Sequence, residues 1–141
     1  MRKTLAAIAC ASALTVPAGD VWAATTAQKK KVVTVSRAVT GPLVNVDRWG
    51  QLQLSIKVNL TTTTVGTKKT VVRKLTAVRV PVYPNHTDRS VYINQQALPW
   101  LKQETLAAQL KGNVQLISGA TDTSYAFNQS LQAALLAAKK V

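Results

Sequence analysis

Cysteine and histidine each occur once in these 141 residues, as Cys10 and His86. Cys10 sits in a stretch built like a secretory leader. Arg2 and Lys3 open it, a mostly apolar run covers Leu5 to Pro17, and Val21-Trp22-Ala23 supplies the small-residue spacing of a cleavage point after Ala23 or one residue later. The apolar run ahead of Cys10 is too short for a lipoprotein leader. A chain processed there keeps no cysteine, which excludes disulfides, iron–sulfur clusters, thiol redox chemistry and covalent c-type haem. Carboxylates are equally scarce. Beyond Asp20 only Asp47, Asp88, Glu104 and Asp122 remain, too few and too scattered for acid–base or metal catalysis by protein groups alone. Chemistry here would be borrowed from a cofactor. No later apolar run approaches the ~18 residues of a membrane span.

What the chain has in excess is positive charge: 18 Lys and Arg against 5 Asp and Glu, a formal net charge of +13. Such a balance reads either as a solvated, self-repelling surface or as attraction to acidic proteins, anionic lipid or anionic envelope polymer. Nucleic acid is set aside. The leader implies a place outside the cytoplasm (periplasm, cell envelope or secreted), and no aromatic-studded basic motif is present.

Along the exported part, Ala24 to Lys31 reads as a linker, leaving residues 32–141 as one domain. Val32 to Val35 reads as a first strand and Gly41-Pro42 as a turn. Gln51 to Leu60 alternates apolar and polar residues without a fault, the pattern of a half-buried antiparallel strand. Thr61 to Lys69 is expected to be a hairpin loop around Gly66 with frayed strand ends. Thr70 to Tyr83 is expected to be a strand with a bulge near Thr76-Ala77, which would align Leu75, Val78, Val80 and Val82 on one face. Pro84 to Asp88 is a loop carrying His86. Ser90 to Leu110 has helical periodicity, divided or kinked at Pro99, with Gly112 as its stop. Val114 to Ile117 is expected as a short strand. Thr123 to Lys140 forms a last helix capped by Thr123 or Ser124, with Phe127, Leu131, Ala134, Leu135 and Ala138 on its buried stripe. The expected fold class is α+β: an antiparallel meander packed against helices.

Between Ile117 and that last helix lies Ser118-Gly119-Ala120-Thr121-Asp122-Thr123-Ser124. Two readings are open. The stretch is an ordinary hydroxyl-rich turn and cap, or it is an anion site in which helix amides, the helix dipole and the hydroxyls of Ser118, Thr121, Thr123 and Ser124 meet phosphate oxygens.

The turn, the "SLQAAL" of Ser130 to Leu135, and the upstream "QLQLSIKV", "LTAVRVP" and "RSVYINQQALPWLKQETLAAQ" together resemble the FMN-binding domain family, which includes the C subunit of the sodium-pumping NADH:quinone oxidoreductase and small exported flavoproteins. The resemblance covers roughly residues 50–138. It implies FMN as cofactor, joined through a phosphodiester to Thr121 by a flavin transferase that uses FAD and Mg²⁺ and releases AMP. It also implies Ser118, Gly119, Ala120, Thr123 and Ser124 at the phosphate end, and Ser90, Ile93 and Asn94 bordering the flavin. The chain departs from the covalent motif at Gln115, where the family carries an aspartate, and this leaves covalent and non-covalent retention both open. The implied function is an electron-transfer relay, and the basic charge would dock an acidic redox partner, soluble or membrane-bound. A basic envelope-binding module with a vestigial flavin site is the alternative.

Overall fold

A computed structural model describes residues 28–141. The expected leader, and the first half of the expected linker (24–27), lie outside the described residues. The fold is α+β, as expected. Four antiparallel strands, β1 (Lys30–Thr40), β2 (Val44–Asn45), β3 (Gln51–Val65) and β4 (Lys68–Val82), pack against α1 (Asp88–Ala108) and the C-terminal α2 (Thr121–Lys140). β3 is central. It pairs with β1 from Lys30↔Val65 to Thr40↔Ser55, with β4 from Gln53↔Val82 to Val65↔Lys68, and with β2 at its first two residues.

The fault-free alternation of β3 sets the layering. Leu52, Leu54, Ile56 and Val58 are buried beneath the helices, while Gln51 and Lys57 face solvent. α2 lies over β3 and buries Phe127, Leu131, Ala134, Leu135 and Ala138, the stripe read from the sequence. Each fully buried Leu or Phe contributes about 1.5–3 kcal/mol. α1 lies over β4 and adds Leu98 and Leu101 to the same core. Just past the end of the β1–β3 pairing, the Leu54 amide donates to Ser130 Oγ at 3.3 Å and the Ser130 hydroxyl donates to the Pro42 carbonyl at 2.9 Å. This ties α2 to the β1–β2 connection. Gly41 sits so close under Ser130 that a Cβ there would overlap the Ser130 carbonyl oxygen and hydroxyl.

Several expected boundaries move. β1 is 11 residues, not four, and takes in Lys30 and Lys31 from the expected linker. The expected loop over Thr61 to Lys69 is mostly strand: β3 and β4 continue to a two-residue turn, Gly66-Thr67. The threonines keep pairing because β-branched residues suit a pleated ladder. Cross-strand hydroxyl contacts, such as Ser36 to Asn59 Oδ1 at 2.6 Å, line its outer face. The bulge falls at Thr76, between the pairs Val58↔Leu75 and Lys57↔Ala77, and Thr76 Oγ1 donates to the Lys57 carbonyl at 3.0 Å. A second irregularity separates Ser55↔Arg79 from Gln53↔Val82. It falls around Pro81, which has no amide for the ladder, and it turns Val82 to the outer, exposed side instead of aligning it with Leu75 and Val78.

α1 runs through Pro99 as one helix. Pro99 lies on the exposed side of the helix. Residues 114–117 are not a strand. Side chains of the two helices take up their backbone groups instead: Gln115 N donates to Glu104 Oε2, Ile117 N to Ser124 Oγ, and Asn128 Nδ2 to the Val114 carbonyl. α2 begins at Thr121, so Thr123 and Ser124 lie inside its first turn and neither caps it. Its N-cap is Ala120, with no side-chain hydrogen bond.

Candidate functional site

The turn before α2 is closed by Ala120 N donating to the Ile117 carbonyl at 3.0 Å, with Gly119 at φ +84 in its third position. That φ is what a type II turn demands there, and glycine adopts it without strain. A Cβ built on Gly119 would meet nothing within 4 Å, so the space above the turn is open. Ser124 N reaches back to the Ala120 carbonyl as the first helical bond. The amides of Thr121, Asp122 and Thr123 have no partner among the described residues. They are the donors that every helix start leaves free. Here no serine, threonine, aspartate or asparagine caps them.

The start of α1 points to the same place. Thr87 caps it, accepting from Ser90 N at 3.1 Å and hydrogen-bonding the Ser90 hydroxyl at 2.7 Å. One helical turn on, Asn94 is 1 % exposed. Its amide donates to the Pro84 carbonyl at 2.8 Å and its oxygen accepts from Thr123 Oγ1 at 3.0 Å. Asn94 therefore pins the loop ahead of α1 to the first turn of α2.

Between the two helix starts lies a cleft of about 160 Å³, walled by Ser90, Ile93 and Asn94 on one side and Gly119 to Thr123 on the other. Trp49, from the 3₁₀ turn Asp47–Trp49, closes a third side, and Arg48 lies over its ring at 5.6 Å. Arg89 adds a cation. An adjoining cleft of about 270 Å³ shares Ile93, Gly119 and Ala120 and is bordered by Ser118, Ile117, Tyr92 and Trp100. Each alone is smaller than typical small-molecule sites of about 300–1,000 Å³, and the two share a wall at Ile93, Gly119 and Ala120. Among the described residues no three His, Cys, Asp or Glu group as metal ligands.

Of the nine residues singled out from the sequence, eight border one cleft or the other. Ser124 does not. It is fully buried beneath the turn, accepting from Ile117 N and donating to the Ala120 carbonyl at 2.8 Å. Thr123 borders the cleft but spends its hydroxyl on Asn94. Two of the four hydroxyls expected to meet a ligand are thus engaged in building its wall. Thr121 is exposed, and its hydroxyl has no partner among the described residues. Trp49, Arg89, Tyr92 and Trp100 were not anticipated. Tyr92 and Trp100 are two helical turns apart on the exposed face of α1, a periodic signal hidden by attention to the buried stripe. Trp49 reaches the site only through the sheet, and nothing local in the sequence announces it.

The chemistry of this wall suits a phosphate: three free amides, a helix dipole, the Arg89 guanidinium and room above Gly119, set against one carboxylate, Asp122. No protein-family model, curated protein or solved structure matches the chain.

Proposed function

We propose that the chain is an exported flavoprotein that carries FMN at the start of α2, attached through Thr121, and serves as an electron-transfer relay outside the cytoplasm. The observation that carries this reading is the uncapped first turn of α2, opening onto a cleft that the first turn of α1 also lines. The residues present fit the group. The amides of residues 121–123 and Arg89 would hold the phosphate, and the adjoining cleft beside Tyr92, Trp100 and Ile117 offers an aromatic and apolar wall for a planar ring. Bound FMN supplies one- and two-electron transfer, chemistry that a chain with one histidine and scattered carboxylates cannot supply itself.

The protein's own part is binding and orientation. Thr121 offers an exposed, unengaged hydroxyl for a phosphodiester. In that step the threonine oxygen bonds to phosphorus, AMP leaves from FAD, and the hydroxyl proton is lost to the transferase or solvent. At Gln115, where the covalent motif has an aspartate, the side chain is neutral. A carboxylate nevertheless reaches the spot, since Glu104 Oε2 accepts from the Gln115 backbone amide at 3.2 Å. The basic surface would dock an acidic redox partner.

The test is the intact mass of the protein co-expressed with a flavin transferase, compared with Thr121→Val. An FMN adduct in the parent and none in the variant is expected. An adduct that survives the substitution refutes attachment at Thr121. A parent that carries no adduct and binds no FMN in titration refutes the flavin reading.

A further inference from the structure

We infer that the face of the sheet turned away from the helices docks on an anionic phospholipid bilayer. The two helices cover only one side, packing on Leu52, Leu54, Ile56 and Val58 of β3. On the other side the pairing register places Lys30, Val32, Thr34 and Ser36 of β1 beside Lys57, Asn59, Thr61, Thr63 and Val65 of β3, and these beside Lys68, Thr70, Val72, Lys74 and Arg79 of β4. None of these residues is buried.

Five of them are cations, and none is a carboxylate. Neither residues 28–46 nor residues 48–87 contain an Asp or Glu at all. The lysines stand in rows: Lys30 and Lys68 flank Val65, and Lys74 stands beside Asn59 one pair from Lys57. Strands about 4.8 Å apart put Lys30 and Lys68 roughly 10 Å from each other, about one Debye length at 0.1 M salt. Charges held this close repel one another unless a surface of opposite sign neutralises them.

The form of the face selects the partner. A second copy laid against it would set five cations on five, so self-association is disfavoured. Three strands are too wide for a duplex groove that admits a two-stranded ribbon, and the face has no aromatic residue on which a nucleic-acid base could stack. An extended, half-solvated sheet with cations spread from tip to base matches a broad anionic plane. Val32 and Val72, 52 % and 57 % exposed, give it apolar contacts at the headgroup boundary. The inference stands apart from the flavin reading, because none of these side chains borders the clefts at the helix starts.

The experiment compares sedimentation of the full chain with vesicles of phosphatidylglycerol mixed with phosphatidylcholine and with vesicles of phosphatidylcholine alone. Three forms are used: the parent, a triple Lys57→Gln, Lys68→Gln, Lys74→Gln, and a triple Lys111→Gln, Lys139→Gln, Lys140→Gln away from this face. Residues 1–27 are common to all three forms, so their contribution cancels. At roughly fivefold per lysine near the membrane surface, the sheet-face triple should lose about a hundredfold in affinity for the anionic vesicles. The other triple should lose less than about tenfold, and Lys→Arg at positions 57, 68 and 74 should retain binding. Equal losses in the two triples, equal binding to the uncharged vesicles, or a parent that binds duplex DNA or polyglutamate in preference to anionic vesicles would each overturn the inference.

Discussion

Asn94 is the joint on which the candidate site depends, and its removal can be worked through in numbers. Replacement by leucine keeps the approximate shape of the side chain but removes both hydrogen bonds: the donor to the Pro84 carbonyl at 2.8 Å and the acceptor for Thr123 Oγ1 at 3.0 Å. A buried polar group stripped of its partner costs about 1–3 kcal/mol. Pro84 is buried, so its carbonyl belongs towards the upper end of that range. Thr123 is 6 % exposed and borders the cleft, so its hydroxyl belongs towards the lower end. Asn94→Leu should therefore cost about 3–4 kcal/mol in all, a large share of the ~5–15 kcal/mol that holds a small domain together. Urea unfolding followed by far-UV circular dichroism reads this as a lowered midpoint at unchanged slope.

The decisive measurement is the double variant. Thr123→Val removes the hydroxyl that Asn94→Leu would strand. Thr123→Val alone strands the buried Asn94 oxygen and the double variant strands neither partner, so the two losses should fall short of adding by about 2–3 kcal/mol. Strict additivity would mean that the Asn94–Thr123 contact carries no energy, and the account of how α1 and α2 are brought together at the cleft would fail. In the flavin reading the double variant should regain stability without regaining FMN affinity, because the wall it restores is apolar.

Two glycines give contrasting expectations. Gly119→Ala should cost about 1–2 kcal/mol in urea unfolding from the positive φ alone, since the new methyl meets nothing; a cost well beyond that would mean the turn is more crowded than described. Gly41→Ala should cost about 1–3 kcal/mol by overpacking, because the methyl would overlap Ser130. Adding Ser130→Ala should rescue little of it, since the Ser130 backbone carbonyl remains in the way; full rescue would place the clash on the hydroxyl alone.

The parts of the fold legible in the sequence are those in which one period governs a long segment. The alternation of Gln51 to Leu60 and the stripe from Phe127 to Ala138 each bury the residues expected, because burial on one face has no competing signal. Even the Thr76 bulge was visible, as a slip of phase between Leu75 and Val78. Failures came where local chemistry yields to pairing or to side chains far away. The threonine run resembles a loop in composition but gains ladder bonds on both sides. Val114 to Ile117 resembles a strand in composition but pairs with no strand, and it takes its hydrogen bonds from Glu104, Ser124 and Asn128. The candidate site divides the same way. Ser90, Ile93 and Asn94 share a helix face with local periodicity, and residues 118–121 form a turn with its own glycine signal. Trp49 arrives from a 3₁₀ turn some seventy residues upstream, which only the folded sheet brings near.

The position of the hydroxyls in the turn bears on why α2 starts as it does. A serine, threonine, aspartate or asparagine at the N-cap is worth about 0.5–2 kcal/mol over alanine. The stretch has five such residues between Ser118 and Ser124, yet the N-cap is Ala120. Ser124 and Thr123 look inward, fixing the backbone of residue 117 and the side chain of Asn94. Thr121 looks outward with its hydroxyl unengaged. The helix therefore forgoes a cap that one substitution would provide, and its first three amides stay without a partner among the described residues, beside the open space above Gly119. A phosphate there would supply the missing acceptor and recover the lost stabilisation, so folding and ligand binding draw on the same three donors. An anion site would make use of this arrangement, and Asp122 in the same first turn is the carboxylate that such an anion would have to displace or lie beside.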